Sequence, residues 1–420
     1  MLKINNMVTH SRRQYTEKIE KALAVVPIVV LIGARQVGKT TLMKNLILNG
    51  DSLILNGQDP EIIELFQKYS TLQSYLAINL NPGLEGFLLI DEFQFIPNVS
   101  TLLKLLVDTN LNLRIICTGS SSLDILQKVE ESLAGRVRII EIFSLSFEEY
   151  LLFQDESLHQ LYQKYDVNTP EVVIDKRIVN HFERYLLFGG LPRVSLVNTD
   201  NEKIELLDDI YRTYLMRDVR SYIRYQDAVG FNKLLKILAF QIGNMVNINE
   251  LSNTCGLTYK KTEEYLFLLE QMYIIKLVEP FYSNKRKVIT KMRKVYFTDL
   301  GMRNLINGSF LNIMNGVNDG SIFENYVFLE LKRLLGQAGK LFYYRTLDGA
   351  EIDFVADNFK GLISIEAKNK TFQKEASLRN LINFNATFEP IDSYAINKSF
   401  NSDHLNYKFL QGYLISKIKF

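Results

Sequence analysis

The sequence has few of the residues that build disulfide frameworks or zinc sites. Its 420 residues include only two cysteines and four histidines. Cys117 and Cys255 lie far apart and form no CxxC pair, which argues against both kinds of site and fits a reducing compartment. No histidine has the spacing of a metal ligand, so we interpret all four as surface or core residues. They are His10, His159, His181 and His404.

The chain also lacks a long apolar run and an excess of charge of either sign. The longest uncharged apolar run, ALAVVPIVVLIGA, has 13 residues and contains Pro27, whereas a membrane span needs about 20 residues. The N-terminal stretch has no apolar core of a signal peptide. With 49 basic and 47 acidic residues, any nucleic-acid surface must be local. We therefore expect a cytoplasmic protein with no membrane partner.

A glycine-rich turn follows the first apolar strand pattern. Residues 27–32, PIVVLI, are apolar throughout, as in a strand buried on both faces. The next eight residues, GARQVGKT, match the pattern G-x-x-x-x-G-K-[ST] at every fixed position. A helical pattern, TTLMKNLIL, comes after the turn. The context of strand, glycine turn and helix therefore predicts a phosphate-binding loop.

Each fixed position of this loop has a chemical role. Gly33 and Gly38 allow backbone N–H groups to face phosphate oxygens. Lys39 reaches the β- and γ-phosphates, and Thr40 binds Mg²⁺. The predicted cofactors are therefore ATP and Mg²⁺. The predicted nucleotide-binding residues are Gly33, Ala34, Arg35, Gln36, Val37, Gly38, Lys39, Thr40 and Thr41.

A second apolar strand pattern ends in two adjacent acids. It begins at Gly86 and ends at Asp91 and Glu92. Asp91 is placed to hold the Mg²⁺ through water, and Glu92 to polarise the attacking water. An acidic strand end that caps a loop is an alternative for Asp91 alone. It fits the pair poorly, because adjacent carboxylates at a buried strand end repel each other unless a cation is present.

Two further positions complete the predicted ATPase site. A third strand pattern, LRIICTG, leads to Thr118, with Ser120 and Ser121 just beyond it. Thr118 or Ser120 is a candidate sensor of the γ-phosphate, and capping of the next helix is an equal alternative. Arg136, or else Arg138, is a candidate arginine finger that acts on a neighbouring subunit. That role would require a homo-oligomer.

The middle of the chain shows helix-turn-helix spacing followed by a basic hairpin pattern. Residues 281–294 contain six basic and no acidic residues, which predicts contact with DNA phosphates. These residues are Lys285, Arg286, Lys287, Lys291, Arg293 and Lys294. In the candidate recognition helix, Lys260 and Lys261 are offset by Glu263 and Glu264, so specific reading of the major groove is not expected. Use of this region only for packing or subunit contact is the alternative.

Four residues near the C-terminus form a candidate nuclease site. Asp353 lies on one strand pattern, and Glu366 and Lys368 share one face of the next, which gives the order D…(E/D)-x-K. Two carboxylates can hold one or two Mg²⁺ ions against a scissile phosphate. Lys368 can orient water or steady the developing charge, and Glu324, on a preceding helix, can complete the metal shell. A cross-strand salt bridge is the alternative.

These features together resemble a family of AAA-type ATPases of bacteria and archaea that carry a conserved C-terminal region of unknown function. The resemblance implies an α/β fold with a P-loop NTPase core of parallel strands, a helical lid, a winged helix and a C-terminal α/β module with the restriction-endonuclease fold, PD-(D/E)xK. It also places Arg193 in the lid, where it can contact the nucleotide; a plain helix break is the alternative. The resembling segments are LIGARQVGKTTL, FLLIDEFQFIPN, ICTGSSS, LAGRV, FSLSFEEYL, FGGLPRV, YRTYLMRDV, YFTDLGMRNLINGS, FENYVFLEL and AEIDFVAD…ISIEAKNK.

We expect four domains along the chain. Alternation of strand and helix patterns predicts an AAA-type ATPase core over 1–155, with a parallel sheet covered on both faces. A helical lid over 156–228, a winged helix over 229–306 and a nuclease-like domain over 318–420 follow. The expected function is ATP binding and hydrolysis coupled to DNA binding and, in its fuller form, to Mg²⁺-dependent DNA cleavage. The alternative is an ATP-driven signalling or interaction switch whose C-terminal module is a protein-binding platform.

Overall fold

A computed structural model of the chain resolves into two compact units. The first unit comprises residues 1–143 and 271–273, and the second unit comprises residues 144–270 and 274–420. None of the described helices has the length and apolar character needed for a membrane span. The residues that the structure describes are 14–46, 50–81, 85–110, 112–120, 132–166, 175–281, 292–310, 320–336, 339–346, 348–372, 376–399, 401–404, 406–418 and 420.

The first unit is built on a five-stranded parallel sheet in the order β2-β3-β4-β1-β5. Every residue of β1 is buried, as expected for a strand with both faces covered. This arrangement confirms the predicted α/β fold with a parallel sheet. Because all strands run the same way, their carboxyl ends meet at one edge. The strands are β1 (Ile28–Ile32), β2 (Asp51–Asn56), β3 (Gly86–Asp91), β4 (Leu113–Gly119) and β5 (Val137–Glu141).

Helices of the first unit bury apolar faces against this sheet. On the helix after β3, Val99, Leu103 and Leu106 recur at helical spacing. They belong to the same buried cluster as Val30 of β1 and Ile90 of β3. The helices are α1 (Tyr15–Leu23), α2 (Lys39–Lys44), α3 (Pro60–Leu65), α4 (Tyr69–Asn79) and α5 (Val99–Thr109), and a 3₁₀ turn spans Phe93–Phe95.

The second unit begins with helices and continues into a two-stranded antiparallel ribbon, β6 (Ile275–Val278) and β7 (Lys294–Phe297). Three helices precede the ribbon in the order expected of a winged helix. Residues 282–291, on which the predicted wing depends, lie outside the described residues, so the winged helix stays a prediction. The helices up to this ribbon are α6 (Phe147–Gln154), α7 (Glu156–Gln163), α8 (Lys176–Phe188), α9 (Pro192–Leu196), α10 (Asp200–Ile210), α11 (Ala228–Phe240), α12 (Ile248–Cys255) and α13 (Tyr259–Gln271).

The C-terminal part of the second unit is a six-stranded mixed sheet in the order β12-β13-β11-β10-β9-β8. Strands β8, β9 and β10 are antiparallel, whereas β11 runs parallel to β10 and to β13. The predicted succession of helix, three strands, helix and strand is present. The elements are α14 (Leu300–Asn307), α15 (Gly320–Leu335), β8 (Lys340–Arg345), β9 (Glu351–Asn358), β10 (Gly361–Ala367), α16 (Arg379–Phe388), β11 (Asp392–Asn397), β12 (Ser402–His404) and β13 (Tyr407–Gln411).

A buried ion pair on α15 ties this module to the start of the second unit. Arg333 donates to Glu330 at 2.8 Å, and both side chains are 2% exposed. The Arg333 guanidinium also donates to the carbonyl oxygens of Ser144 and Leu145, each at 3.2 Å. The Glu330 carboxylate accepts from the backbone N–H of Phe147 at 3.2 Å. The segment that enters the second unit is therefore clamped to the C-terminal helix.

A second buried contact joins the FGGLPRV segment to α14. The Asp299 carboxylate accepts from the backbone N–H of Gly190 at 2.9 Å. The Asn304 amide donates to the carbonyl oxygen of Leu187 at 2.8 Å. A Cβ atom on Gly301 would lie 2.0 Å from the carbonyl oxygen of Phe188. Four of the segments that carry the family resemblance thus meet in the two buried networks, which gives them an architectural role.

We expect Gly301→Ala to destabilise the second unit, because the new methyl group has no room against the backbone of Phe188. Overpacking of this kind costs about 1–3 kcal/mol. Urea unfolding followed by circular dichroism measures the effect. Gly320→Ala is the matched control, since a Cβ atom there meets nothing within 4 Å. Equal stability of the two variants would contradict the packing described here.

Candidate functional site

The predicted phosphate-binding loop connects the carboxyl end of β1 to the start of α2. Gly33, Gln36 and Gly38 all have positive φ angles, 147°, 63° and 92°. A Cβ atom on Gly33 would lie 2.2 Å from the carbonyl oxygen of Ile142, so only glycine fits there. The loop therefore has the close-wrapped backbone that the sequence pattern predicts.

The Lys39 side chain curls back over this loop and is 5% exposed. Its ammonium group donates to the carbonyl oxygens of Gly33 and Ala34, at 2.8 and 2.7 Å. Burial lowers the pKa of Lys39 to about 8, although the charges of Glu92 and Asp91 raise it. The lysine is thus held by neutral carbonyl oxygens, which leaves its positive charge free to act on an anion.

Asp91, the last residue of β3, joins three parts of the site. Its carboxylate accepts a hydrogen bond from the Thr40 hydroxyl at 2.8 Å. The Thr118 hydroxyl, on β4, also donates to this carboxylate. Because β4 lies between β1 and β3, the ends of the three strands bring these side chains together. A threonine hydroxyl beside a carboxylate offers the hard oxygen ligands that Mg²⁺ prefers.

Glu92 follows Asp91 with a left-handed backbone, φ 51°. Its backbone N–H donates to the Thr118 hydroxyl at 3.2 Å. One carboxylate oxygen, Oε2, accepts from the Ser120 hydroxyl at 3.1 Å and also from the amide nitrogen of Gln94. The structure therefore brings Thr118, Ser120 and both acids to one place, whereas Ser121 lies outside the described residues. The sequence reasoning missed Gln94, although a lone polar residue between Phe93 and Phe95 was an available signal.

Arg136 lies at the other edge of the sheet. Its backbone carbonyl oxygen accepts from the N–H of Ile28, at the beginning of β1, and the loop lies at the end of β1. Its guanidinium forms a two-point ion pair with Asp108, with a shortest distance of 2.6 Å. Arg136 is thus not part of the site on its own chain, and its role on a neighbouring subunit stays a prediction. Arg138, the other candidate, is exposed, as is Arg193 on α9 of the second unit, whose nucleotide contact also stays a prediction.

The structure brings together the three motif residues of the C-terminal module. Asp353 on β9 and Glu366 on β10 are 8% and 6% exposed. The Asp353 carboxylate accepts from the backbone N–H of Ala367 at 2.8 Å. Lys368 forms an ion pair with Glu366 at 2.5 Å. Burial and the nearby charge of Asp353 raise the pKa of the Glu366 carboxyl.

Lys294 corrects one prediction, because it does not face solvent as a ligand of DNA phosphates. It is 2% exposed, and its ammonium group forms ion pairs with Glu324 at 3.2 Å and Glu351 at 2.5 Å. Burial lowers the pKa of Lys294, but the charges of Glu324, Asp353 and Glu351 raise it further, so the net shift is upward. The basic run in the sequence does not show which of its lysine side chains is buried. Alternation along β7 places Lys294 and Tyr296 on one face, and both contact Glu324.

The predicted metal role of Glu324 stays a prediction. Its carboxylate accepts from Lys294 and from the Tyr296 hydroxyl, the latter at 2.7 Å. Within the described part of the chain, no three side chains of His, Cys, Asp or Glu are arranged to hold a metal ion. Arg293 is partly buried and its DNA contact stays a prediction. The remaining basic residues of the predicted DNA surface lie outside the described residues: Lys285, Arg286, Lys287 and Lys291.

Three segments of the chain match known family models. Residues 26–151 match a family described as an AAA domain. Residues 179–312 and 319–413 match two domains of unknown function, DUF8612 and DUF4143. The AAA match spans all five strands and the loop described above, which supports an AAA-type P-loop ATPase domain in the first unit. The other two models carry no functional description, so the lid, the winged helix and the nuclease fold stay predictions.

Similar proteins come from distant organisms. An uncharacterised protein of Mycobacterium tuberculosis is 26% identical over 349 residues, covering 82% of this chain and 71% of the relative. One of Methanocaldococcus jannaschii is 28% identical over 346 residues, covering 80% and 74%. Among solved structures, a Walker-type ATPase of Pyrococcus abyssi matches with a TM-score of 0.49 and 15% identity, covering 70% of this chain and 95% of that one.

We expect Lys294→Met to destabilise the second unit, because it leaves the carboxylates of Glu324 and Glu351 without the buried ammonium group with which both form ion pairs. Removing one partner of a buried ion pair costs about 3–5 kcal/mol. Urea unfolding measures this loss, with the exposed Lys340→Met on β8 as control. The double variant Lys294→Met/Glu324→Gln should lose less than the sum of the single variants. Strict additivity would show that the two groups do not interact.

Proposed function

We propose that the first unit binds ATP with Mg²⁺ and hydrolyses the bond between its β- and γ-phosphates. The observation that carries this proposal is the hydrogen-bonded group of Thr40, Asp91 and Thr118 at the carboxyl edge of the parallel sheet. Lys39 and Glu92 flank this group from the loop and from the end of β3. The AAA family match over the same residues supports the proposal independently.

The residues present fit both ligands. The hydroxyl of Thr40 and the carboxylate of Asp91 are in contact and supply oxygen donors for Mg²⁺. The loop, with three positive φ angles, allows close approach of backbone N–H groups to phosphate oxygens. The ammonium group of Lys39 already lies on the loop, where it would bind a phosphate.

Each residue of this site then has a role in hydrolysis. Thr40 and Asp91 would hold the Mg²⁺ ion, which neutralises phosphate charge when it is bound. Lys39 binds the phosphates, and Glu92 accepts the proton of the attacking water. The Thr118 hydroxyl bonds to both the carboxylate of Asp91 and the backbone N–H of Glu92. It therefore holds the metal ligand and the base in fixed positions relative to each other.

The proposal extends to a homo-oligomer in which Arg136 acts on the nucleotide of the next subunit. Arg136 lies at the edge of the sheet that lacks the loop, so a finger role for it would have to be exercised on another chain. The ion pair with Asp108 is partly exposed, at 36% and 38% for the two side chains. Such a pair contributes only about 0–1 kcal/mol, so opening it in an assembly costs little.

We expect Glu92→Gln to bind ATP normally and to lose turnover by about a hundredfold or more, because it removes the base but not the loop. Lys39→Ala should lose binding itself. Calorimetry with Mg²⁺·ATP and phosphate release measure the two steps, and exposed Glu64→Gln on α3 is the control. A wild-type protein that binds no ATP, or an unchanged rate in Glu92→Gln, would contradict the proposal.

A second candidate function is Mg²⁺-dependent cleavage of DNA by the C-terminal module, with the basic segment around Arg293 as its DNA contact. One observation favours it: Asp353, Glu366 and Lys368 lie together on neighbouring strands, as a PD-(D/E)xK site requires. The contacts of Lys294 and Glu324 weigh against a metal in the arrangement seen. The alternative is an ATP-driven switch in which this module is a protein-binding platform.

If cleavage is the function, Asp353→Asn abolishes Mg²⁺-dependent cutting while ATP binding is retained, because the two sites share no residue. Gel assays on duplexes, single strands and junctions, with and without ATP, provide the measurement. Asp357→Asn, four residues along the same strand, is the control. Absence of cutting by the wild-type protein on every substrate would remove this candidate and leave the platform alternative.

A further inference from the structure

Gln94 lies in the 3₁₀ turn that follows the end of β3. The turn is anchored by Phe93, which is 1% exposed, and it closes through a hydrogen bond from the N–H of Phe95 to the carbonyl oxygen of Glu92 at 3.2 Å. The Gln94 side chain therefore returns toward the carboxylate two residues before it. Its amide nitrogen donates to Glu92 Oε2 and, at 3.4 Å, to the Ser120 hydroxyl.

The two donors from Gln94 and Ser120 hold the same carboxylate oxygen of Glu92. This leaves the second oxygen, Oε1, with no donor among the described residues, so it is free to accept a proton. Rotation of the carboxylate is also restrained, because the two bonds reach one oxygen from different segments, the 3₁₀ turn and the residue after β4. Glu92 is thus presented with one oxygen held and one available.

The amide oxygen of Gln94 is buried, and no hydrogen-bond partner for it exists in the described part of the chain. Exchanging the positions of the amide oxygen and nitrogen would not give this oxygen a donor. The Glu92 carboxylate only accepts hydrogen bonds, so the nitrogen must face it. A buried acceptor without a donor is unfavourable. A water molecule that enters beside Glu92 when nucleotide binds would supply the missing donor.

We propose that Gln94 is a positioning residue for ATP hydrolysis, and the inference rests on the proposed function. Its amide nitrogen fixes the carboxylate of Glu92, and its amide oxygen accepts one hydrogen of the attacking water. The other hydrogen of that water passes to Glu92 as a proton. The water oxygen forms a bond to the γ-phosphorus, and the bond from the γ-phosphorus to the bridging oxygen breaks, its electron pair leaving with ADP.

This arrangement explains why an amide stands at this position. A leucine of similar size can neither hold the carboxylate nor accept from water. A glutamate has no donor for Glu92 and repels it. Of these side chains, only the amide carries a donor for the base and an acceptor for the water on one planar group.

The test uses Gln94→Leu in the full-length protein, with exposed Gln73→Leu on α4 as control. We expect kcat to fall by about tenfold or more, within the range of an oriented proton transfer, while the dissociation constant for Mg²⁺·ATP stays within about twofold and the melting temperature is unchanged. Gln94→Glu should be at least as slow as Gln94→Leu.

The decisive arm places Gln94→Leu in the Glu92→Gln background and measures single-turnover hydrolysis. If Gln94 acts through Glu92, the second substitution adds little further loss. An unchanged kcat in Gln94→Leu, or a full further loss in the double variant, overturns the inference. Absence of turnover in the wild-type protein instead overturns the proposed function, and this inference with it, so the two failures are distinguishable.

Discussion

The carboxylate of Asp91 accepts hydrogen bonds from hydroxyls on two other chain segments, Thr40 of the loop and Thr118 of β4. Everything proposed for the first unit depends on this contact. It exists because β4 lies between β1 and β3 in a parallel sheet, so that three strand ends meet at one edge. A different strand order would leave the same motifs in the sequence and no site in the molecule.

The two groups of acids in this chain differ in their contacts with lysine. In the first unit, Lys39 is bonded to backbone carbonyl oxygens, so the adjacent acids Asp91 and Glu92 have no ion pair with it. In the C-terminal module, Lys294 and Lys368 form direct ion pairs with Glu324 and Glu366. The second group thus has lysines as counter-ions, whereas the carboxylates of the first accept hydrogen bonds from hydroxyl and amide groups. Motif spacing alone shows no such difference.

The sequence was sufficient for features that depend on neighbours along the chain. The run from Gly33 to Thr41 and the buried strand before it follow from local pattern, and so does the acid pair that begins at Asp91. It was insufficient where the outcome depends on contacts made across the fold. In the sequence Lys294 is one residue of a basic run, but its position on β7 buries its side chain. Gln94 follows a strand pattern without any motif, but the 3₁₀ turn places its amide against Glu92. The distance of Arg136 from the loop likewise follows from strand direction in the sheet.

The most direct test of the account is where a metal ion binds in the presence of ATP. Electron paramagnetic resonance of Mn²⁺, used in place of Mg²⁺, reports both binding and phosphorus coupling. The account predicts one Mn²⁺ ion coupled to ATP phosphorus in the wild-type protein, with affinity lowered by about tenfold or more in Asp91→Asn and unchanged in Asp353→Asn. Equal affinity in wild-type and Asp91→Asn proteins would contradict it.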